Sequence, residues 1–186
     1  RIAADRYPDP ISICGTPAGF PRVFALPDAY EFVVRPEQTW LLSENGPNTV
    51  RIYTDGRMHP APEDMWPTYT GHNVGRWEGD TLVFHSTGLK GVGSTILGRA
   101  GVVMSDMLEV TTRIRLMEKD RLLVTLTLVD AEALTRPWPV AFTFTRLAPG
   151  ATVYDYACAE NNRNPMSPDG RTLTLDPEGK VIDKPR

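Results

Sequence analysis

The sequence predicts an all-β protein, an antiparallel lipocalin-like (calycin-type) barrel of about eight strands with long loops at one mouth. Three observations lead there. Apolar and polar residues alternate over short runs: Leu108, Val110, Thr112, Ile114 and Leu116 stand against Met107, Glu109, Thr111, Arg113 and Arg115, the pattern of a strand with two unlike faces. Turn residues separate these runs at short intervals. Helical character is confined to residues 130–134 (DAEAL), where a single turn is expected.

The elements follow in order. Residues 1–22 carry Pro8, Pro10, Pro17 and Pro21 with Gly15 and Gly19, and predict an irregular N-terminal arm. Residues 29–34 and 39–44 are short strands, separated from the next by Asn45-Gly46-Pro47-Asn48. A strand from Val50 ends at Asp55-Gly56, which supplies the positive φ of a tight turn. His59-Pro60-Ala61-Pro62 cannot continue a ladder, because proline has no N–H to donate. Residues 57–70 are therefore expected as a surface loop, long enough for a lid or a binding role. Residues 72–77 and 81–85 form a hairpin about Glu78-Gly79-Asp80.

Residues 87–101 hold Gly88, Gly91, Gly93, Gly98 and Gly101, a flexible segment whose spacing does not match a phosphate-binding GxGxxG. Residues 106–118 are the longest strand. Lys119-Asp120 turns the chain into 122–129, and Pro137-Trp138-Pro139 leads into 140–147. Residues 154–158 close the series. The barrel is thus expected over 23–160, with 161–186 a polar tail that wraps or is disordered.

Hydrophobic content of 41% over 186 residues suits one domain with a real core. A net charge of −3 without a Lys/Arg cluster excludes a nucleic-acid binder. No apolar run approaches the ~18 residues of a membrane span. The chain opens on Arg1 rather than Met, as a mature or trimmed form is expected to. Cys14 and Cys158 are the only cysteines, and they lack CxxC or zinc spacing. They are either two buried thiols or one disulfide tying the arm to the last strand. Such a bridge is worth about 4–5 kcal/mol by chain entropy and needs an oxidising compartment.

Histidine titrates near neutral pH and can both take and give a proton. His72 follows the long loop at the start of a strand and is the first candidate for a general acid or base; a hydrogen-bonded structural histidine is the plainer alternative. His85 shares a face with Thr81 and Val83 and is the second. Tyr53 and Asp55 share a face with Arg51, and a Tyr-Asp pair could orient a histidine or polarise a carbonyl. Asp55 before Gly56 is equally explained as a turn residue. Glu109 and Arg113, on one polar face, would hold a charged ligand group inside a barrel, or be solvated.

His59, His72 and His85 recur at intervals of thirteen, but no close pair suggests zinc, and no metal or cofactor is expected. No GxSxG marks a serine nucleophile. Trp77 and Trp138 on strands, and Trp66 and Tyr69 in the long loop, are candidate substrate-binding residues. Large apolar side chains on a loop usually cover a pocket or a core edge.

Several blocks carry a family resemblance. They are Ile52-Tyr53-Thr54-Asp55-Gly56-Arg57 with His59-Pro60, Gly71-His72 with Gly75-Arg76-Trp77-Glu78-Gly79-Asp80-Thr81-Leu82-Val83, Ser105-Asp106, Thr135-Arg136-Pro137-Trp138, and Tyr156-Ala157-Cys158-Ala159-Glu160-Asn161. Over roughly residues 12–161 the chain resembles a family of secreted bacterial lipocalin-like β-barrel proteins to which no reaction is attached. The resemblance implies a secreted or periplasmic protein, and with it the Cys14–Cys158 bridge. The chain departs from the family pattern at His85, where Asp is common, at Met104, where His is common, and at Thr112, where Glu is common.

Together these readings predict a cofactor-independent enzyme with a barrel pocket, closed partly by the 57–70 and 87–104 loops. It would act on a small, mostly apolar organic substrate by acid–base chemistry of isomerase, cyclase or lyase type. His72 would move the proton, His85, Asp55 or Tyr53 would orient or polarise, and Arg113 with Glu109 would hold a polar end. The alternative is a non-catalytic binding protein for a small hydrophobic or aromatic ligand. A structural module of the cell envelope is a third reading, favoured by a fully packed interior. A homodimer is left open.

Overall fold

The computed structural model of the chain describes residues 18–44, 49–91, 96–97 and 102–154, with single positions at 167, 168, 173, 178, 180 and 181. The strands among them are β1 (Tyr30–Val34), β2 (Gln38–Ser43), β3 (Thr49–Tyr53), β4 (His72–Glu78), β5 (Thr81–Thr87), β6 (Ile96–Leu97), β7 (Val102–Val103), β8 (Glu109–Glu118), β9 (Arg121–Val129) and β10 (Trp138–Thr145). Eight form one sheet in the order β1-β2-β3-β4-β5-β8-β9-β10, and β6 pairs with β7 apart from it. The sheet curls into a half-barrel of lipocalin-like form, so the all-β expectation holds. The expected turn at 130–134 is closed by the Leu134 N–H donating to the Asp130 carbonyl at 2.9 Å.

One face of each central strand makes the core. Leu41, Val50, Ile52, Leu82, Phe84, Val110, Ile114, Val124, Leu126 and Leu128 are buried there, and Phe20, Val23 and Phe24 pack against them. The described end of the N-terminal arm is therefore a core element. Its apolar residues recur at i, i+3 and i+4, one side of a helical turn, and Arg22–Ala25 is a short 3-10 turn. Full burial of one such side chain contributes about 1.5–3 kcal/mol. Leu89, Met104 and Leu108 complete the same cluster.

The edge strands β1 and β10 approach through side chains. The Tyr30 ring meets Phe144 edge-to-face at 5.3 Å, and Phe24 lies 6.3 Å from Tyr30 and 6.1 Å from Phe144. The Tyr30 hydroxyl donates to the carbonyls of Val23 and Leu26. Burial, and secondarily the Asp28 charge, push that hydroxyl's pKa up. On the outer edge, Pro139 of β10 has no N–H to offer, as an edge strand tolerates.

One pair departs from the antiparallel expectation. β3 and β4 run parallel, with Ile52 opposite Asn73 and Tyr53 opposite Val74. The physical reason is the connection. Parallel neighbours need a crossover of about a dozen residues or more, and residues 54–71 supply it. Asp55-Gly56, with Gly56 at φ 84°, thus opens a crossover rather than a hairpin. The hairpin is the next one, β4 to β5, running from His72 opposite Thr87 to Glu78 opposite Thr81.

The far end of the crossover is fixed to the exit of β5. The Thr68 N–H donates to the Gly88 carbonyl at 3.0 Å, and the Lys90 N–H to the Thr68 carbonyl at 2.9 Å. The Met65 thioether occupies the place where a side chain at Gly88 would begin, and Gly88 has φ 63°. Only glycine satisfies both conditions.

β8 starts at Glu109, later than its alternation suggests, because Ser105 and Met107 belong to a polar turn. The Met107 N–H donates to Ser105 Oγ at 3.0 Å. Cys14 and Cys158 lie outside the described residues, as do most of the expected last strand and tail. Among the described residues no helix is long and apolar enough to cross a membrane.

Asp130 anchors that turn. Its carboxylate accepts the Ser105 N–H (2.7 Å) and hydroxyl (2.9 Å) and the N–H groups of Glu132 (3.0 Å) and Ala133 (2.9 Å). Burial pushes its carboxyl up, but the four donors outweigh it and hold the group below the usual carboxylate range. The resulting stability is present above the unfolded value of about 3.9 and is lost as pH falls through the lower folded value. Asp130→Ala leaves these donors unpaired, at a cost of about 2–3 kcal/mol. A lower urea midpoint at unchanged slope is the expected result; an unmoved midpoint would refute the anchoring role.

Candidate functional site

All three histidines of the chain meet on the outer face of the sheet, opposite the core. Asn73 and Ser86 point inward and are buried, so their neighbours His72 and His85 point outward by alternation. Val74 is the partner of His85 and Thr87 the partner of His72. His72 and His85 are therefore diagonal neighbours, about 7–8 Å apart at the backbone, and each turns its Nδ1 to a third ring rather than to the other.

His59 fills the gap. Its Nδ1 lies 2.8 Å from His72 Nδ1, and its Nε2 lies 3.1 Å from His85 Nδ1. The rings meet near-perpendicularly, at 5.0 Å and 5.2 Å. His85 Nε2 in turn lies 3.5 Å from Glu109 Oε2 on β8. The crossover brings His59 here, and Pro60 and Pro62 restrict its backbone on the far side.

Tyr53, the last residue of β3, stacks on His72 at 5.4 Å. Arg57 lies over the Tyr53 ring at 3.9 Å. Asp55 holds Arg57 through Oδ1 and Oδ2, each 2.9 Å from its Nε. The result is a Tyr53 ring in contact with both Arg57 and His72, joined to a row of three imidazoles ending at a carboxylate.

Burial, then the neighbouring His85 and His72 rings, lower the pKa of His59, while Glu109 draws it partly back up. Burial and the Arg57 charge lower that of His72. Both imidazoles are therefore neutral at pH 7. Among the described residues no group of three donors is placed to hold a metal ion. His59 turns one nitrogen to each neighbour, whereas zinc needs every ligand within about 2.0–2.2 Å of a single point. The histidines form a row, not a claw.

The remaining sequence candidates are dispersed. Glu109 and Arg113 are on the outer face, the solvated of the two placements that the sequence leaves open. Val110, Thr112 and Ile114 take the inner positions because they are apolar or small enough to pack there. Arg113 bonds Glu78 at 2.9 Å, and Glu78 also holds Arg76. The Asp55 carboxylate is engaged by Arg57, whose hydrogen bond lowers its pKa; it does not reach a histidine.

Trp77 alternates with His72 and so faces the other side of β4. Trp138 lies on the edge strand beside an open depression of about 640 Å³ lined by Leu134, Thr135, Arg136, Pro137, Trp138 and Pro139. Trp66 is 86% exposed. The Tyr69 ring lies 4.7 Å from Lys90 Nζ, and its carbonyl accepts the Phe20 N–H. No described ring contact joins these four residues to the histidines. Met104 and Thr112, two of the three departures from the resembled pattern, are core residues; His85, the third, is in the cluster.

His59 entered the sequence reading only as a metal candidate. The signal that could have placed it at the site is its position in a proline-stiffened crossover, which no local pattern distinguishes from a hairpin loop. Comparison of the chain with protein-family models, curated proteins and solved structures finds no match.

The lowered values of His59 and His72 make folding pH-dependent. The unfolded histidines take up protons below about 6.5, while the folded ones resist. Stability is thus full above that value and falls as pH drops through it towards the folded values. Wild-type Tm is expected to fall by several degrees between pH 7.5 and 5, and by less in His59→Phe. Equal slopes in thermal melts of the two proteins would contradict the cluster's role.

Proposed function

We propose that the chain is a cofactor-independent enzyme performing acid–base chemistry of isomerase, cyclase or lyase type on a small, mostly apolar organic molecule. One observation carries this reading. His72 is an imidazole neutral at pH 7 whose Nδ1 is engaged by His59 and whose Nε2 has no hydrogen-bond partner among the described residues. Such a nitrogen accepts a proton from an acidic C–H or O–H and can return it elsewhere on the substrate.

The apolar cluster lies on the inner face of the sheet and the histidines on the outer, so the proposed substrate site is the outer face beside the crossover. Val74 and the Tyr53 ring give apolar surface next to His72. Arg57, on the Tyr53 ring, gives positive charge for a polar end. A secreted or periplasmic location, with the Cys14–Cys158 bridge, belongs to the same proposal and rests on the sequence resemblance.

The binding-protein alternative has one observation in its favour. The open depression beside Trp138 carries an indole and the Arg136 guanidinium, which suits an aromatic ligand with a negative group. Native mass spectrometry of the purified protein is expected to show no retained organic molecule if the enzyme reading is right. A stoichiometric ligand, still bound by His72→Ala and lost in Trp138→Ala, would favour the alternative.

The direct test follows deuterium uptake from D₂O into a panel of ketones, lactones and unsaturated acids. The wild type is expected to exchange acidic C–H positions above background. His72→Ala is expected to lose at least 10²-fold of that rate, the usual scale of a general base, with Tm nearly unchanged. Equal exchange in both proteins, or none in either, would sink the assignment.

A further inference from the structure

We infer that Glu109, three contacts from His72, is a positioning residue that sets the His72 tautomer through His85 and His59, making the four side chains one proton-transfer row. The inference rests on the proposed acid–base role of His72 for its purpose, but not for its wiring.

The wiring follows from which atoms can donate. An ionised carboxylate only accepts, and a neutral imidazole has one N–H and one bare nitrogen. Glu109 Oε2 lies 3.5 Å from His85 Nε2, longer than an ordinary hydrogen bond, and its negative charge favours the proton on that nitrogen. His85 Nδ1 is then bare and accepts from His59 Nε2–H across 3.1 Å. His59 Nδ1 is bare in turn and accepts from His72 Nδ1–H across 2.8 Å. Each assignment forces the next. The last nitrogen, His72 Nε2, is left bare, which is the form a general base requires. Reversing any one ring would place two protons, or two lone pairs, face to face.

The groups around the row agree with this direction. Arg57, the charge acting on His72, opposes a positive imidazolium at that end. Glu109, the carboxylate acting on His59 among the described residues, favours positive charge towards its own end of the row. Tyr53 stacks on His72, and its described contacts are through its ring.

When His72 Nε2 takes a proton from substrate, His72 Nδ1–H passes its own to His59 Nδ1. His59 Nε2–H then passes to His85 Nδ1, and His85 Nε2–H to the Glu109 carboxylate. One proton leaves the substrate and one arrives at Glu109; every imidazole ends neutral in its other tautomer. The return runs the same steps backwards. The device resembles the carboxylate–histidine pairing of hydrolytic triads in logic, extended by two rings.

The test is ¹⁵N NMR of the histidine-labelled intact chain at pH 7.5. The wild type is expected to show His72 protonated at Nδ1 and bare at Nε2, whereas a free imidazole side chain in water favours the opposite tautomer. Glu109→Gln, an outward residue whose replacement spares the core, is expected to shift His72 towards the Nε2–H form and change its titration. Arg113→Gln, on the same face of β8 but outside the row, is expected to change neither. A merely structural Glu109 would not move the tautomer of a ring three contacts away.

His72 found as Nε2–H in the wild type, or unchanged in Glu109→Gln, overturns the inference. A stoichiometric metal in the purified protein overturns it too, since it would occupy the bare nitrogens. The expected tautomers without deuterium exchange on any substrate would uphold the wiring while removing the catalytic role, so the two failures are distinguishable.

Discussion

Parallel neighbours in a sheet can be joined only by a chain that leaves one end and returns to the other, and in this protein residues 54–71 are that chain. The path is not free. It must clear the sheet on one side, and here it lays Arg57 and His59 across the outer face of β3, β4 and β5 before Thr68 ties it to Gly88. A simple hairpin between β3 and β4 would leave no third ring between His72 and His85. Asn73 helps to fix the arrangement. Its buried amide donates to the Arg51 carbonyl at 3.0 Å and the Thr70 carbonyl at 3.1 Å, joining the end of the crossover to β3 beside a parallel pairing of only two residue pairs.

The sheet divides its labour between its faces. The inner face supplies stability through aliphatic and aromatic packing, and it also buries Thr39 Oγ1, Asn73 Oδ1, Ser86 Oγ and Thr112 Oγ1, which have no hydrogen-bond partner among the described residues. The outer face carries the titratable groups, half open to water, with His85 and Glu109 side chains 39% and 54% exposed. Imidazoles in contact repel when both are charged, so the cluster is comfortable only near neutrality. Its acid–base reading and its pH-dependent stability come from the same crowding.

Much of the fold was legible in the sequence because a period of two is a local property. The alternation of 106–118 identified β8 and separated Val110, Thr112 and Ile114 from Glu109, Thr111 and Arg113. Glu78-Gly79-Asp80 identified the β4–β5 hairpin. What alternation cannot say is which strand lies beside which, so the parallel pair and the crossover stayed hidden. Nor does it say which face is concave, so for Glu109 and Arg113 a barrel interior and a solvated face stayed equally open until the pairing put them outside. The core role of Phe20, Val23 and Phe24 was masked by the prolines around them, which end strands but permit a tight helical turn. His72, His85 and Tyr53 stood out from their residue types and positions. Their assembly with His59 and Glu109 is a product of pairing register and could not be read locally.

Because all three histidines sit in one cluster, this protein has an unusual electrical simplicity. Histidine is the side chain whose ordinary pKa falls between pH 5 and 8, so the histidine charge of this sequence is gathered at one spot, with His59 and His72 displaced to the acid side of the ordinary value. With its histidines neutral the formal charge is −3. An electrophoretic mobility curve of the intact protein around pH 6 therefore acts as a meter for this site, the terminal amine aside, with no other histidine to confuse it. Any molecule that settles on the cluster and takes or supplies a proton must register as a displacement of that curve, whether or not it is turned over.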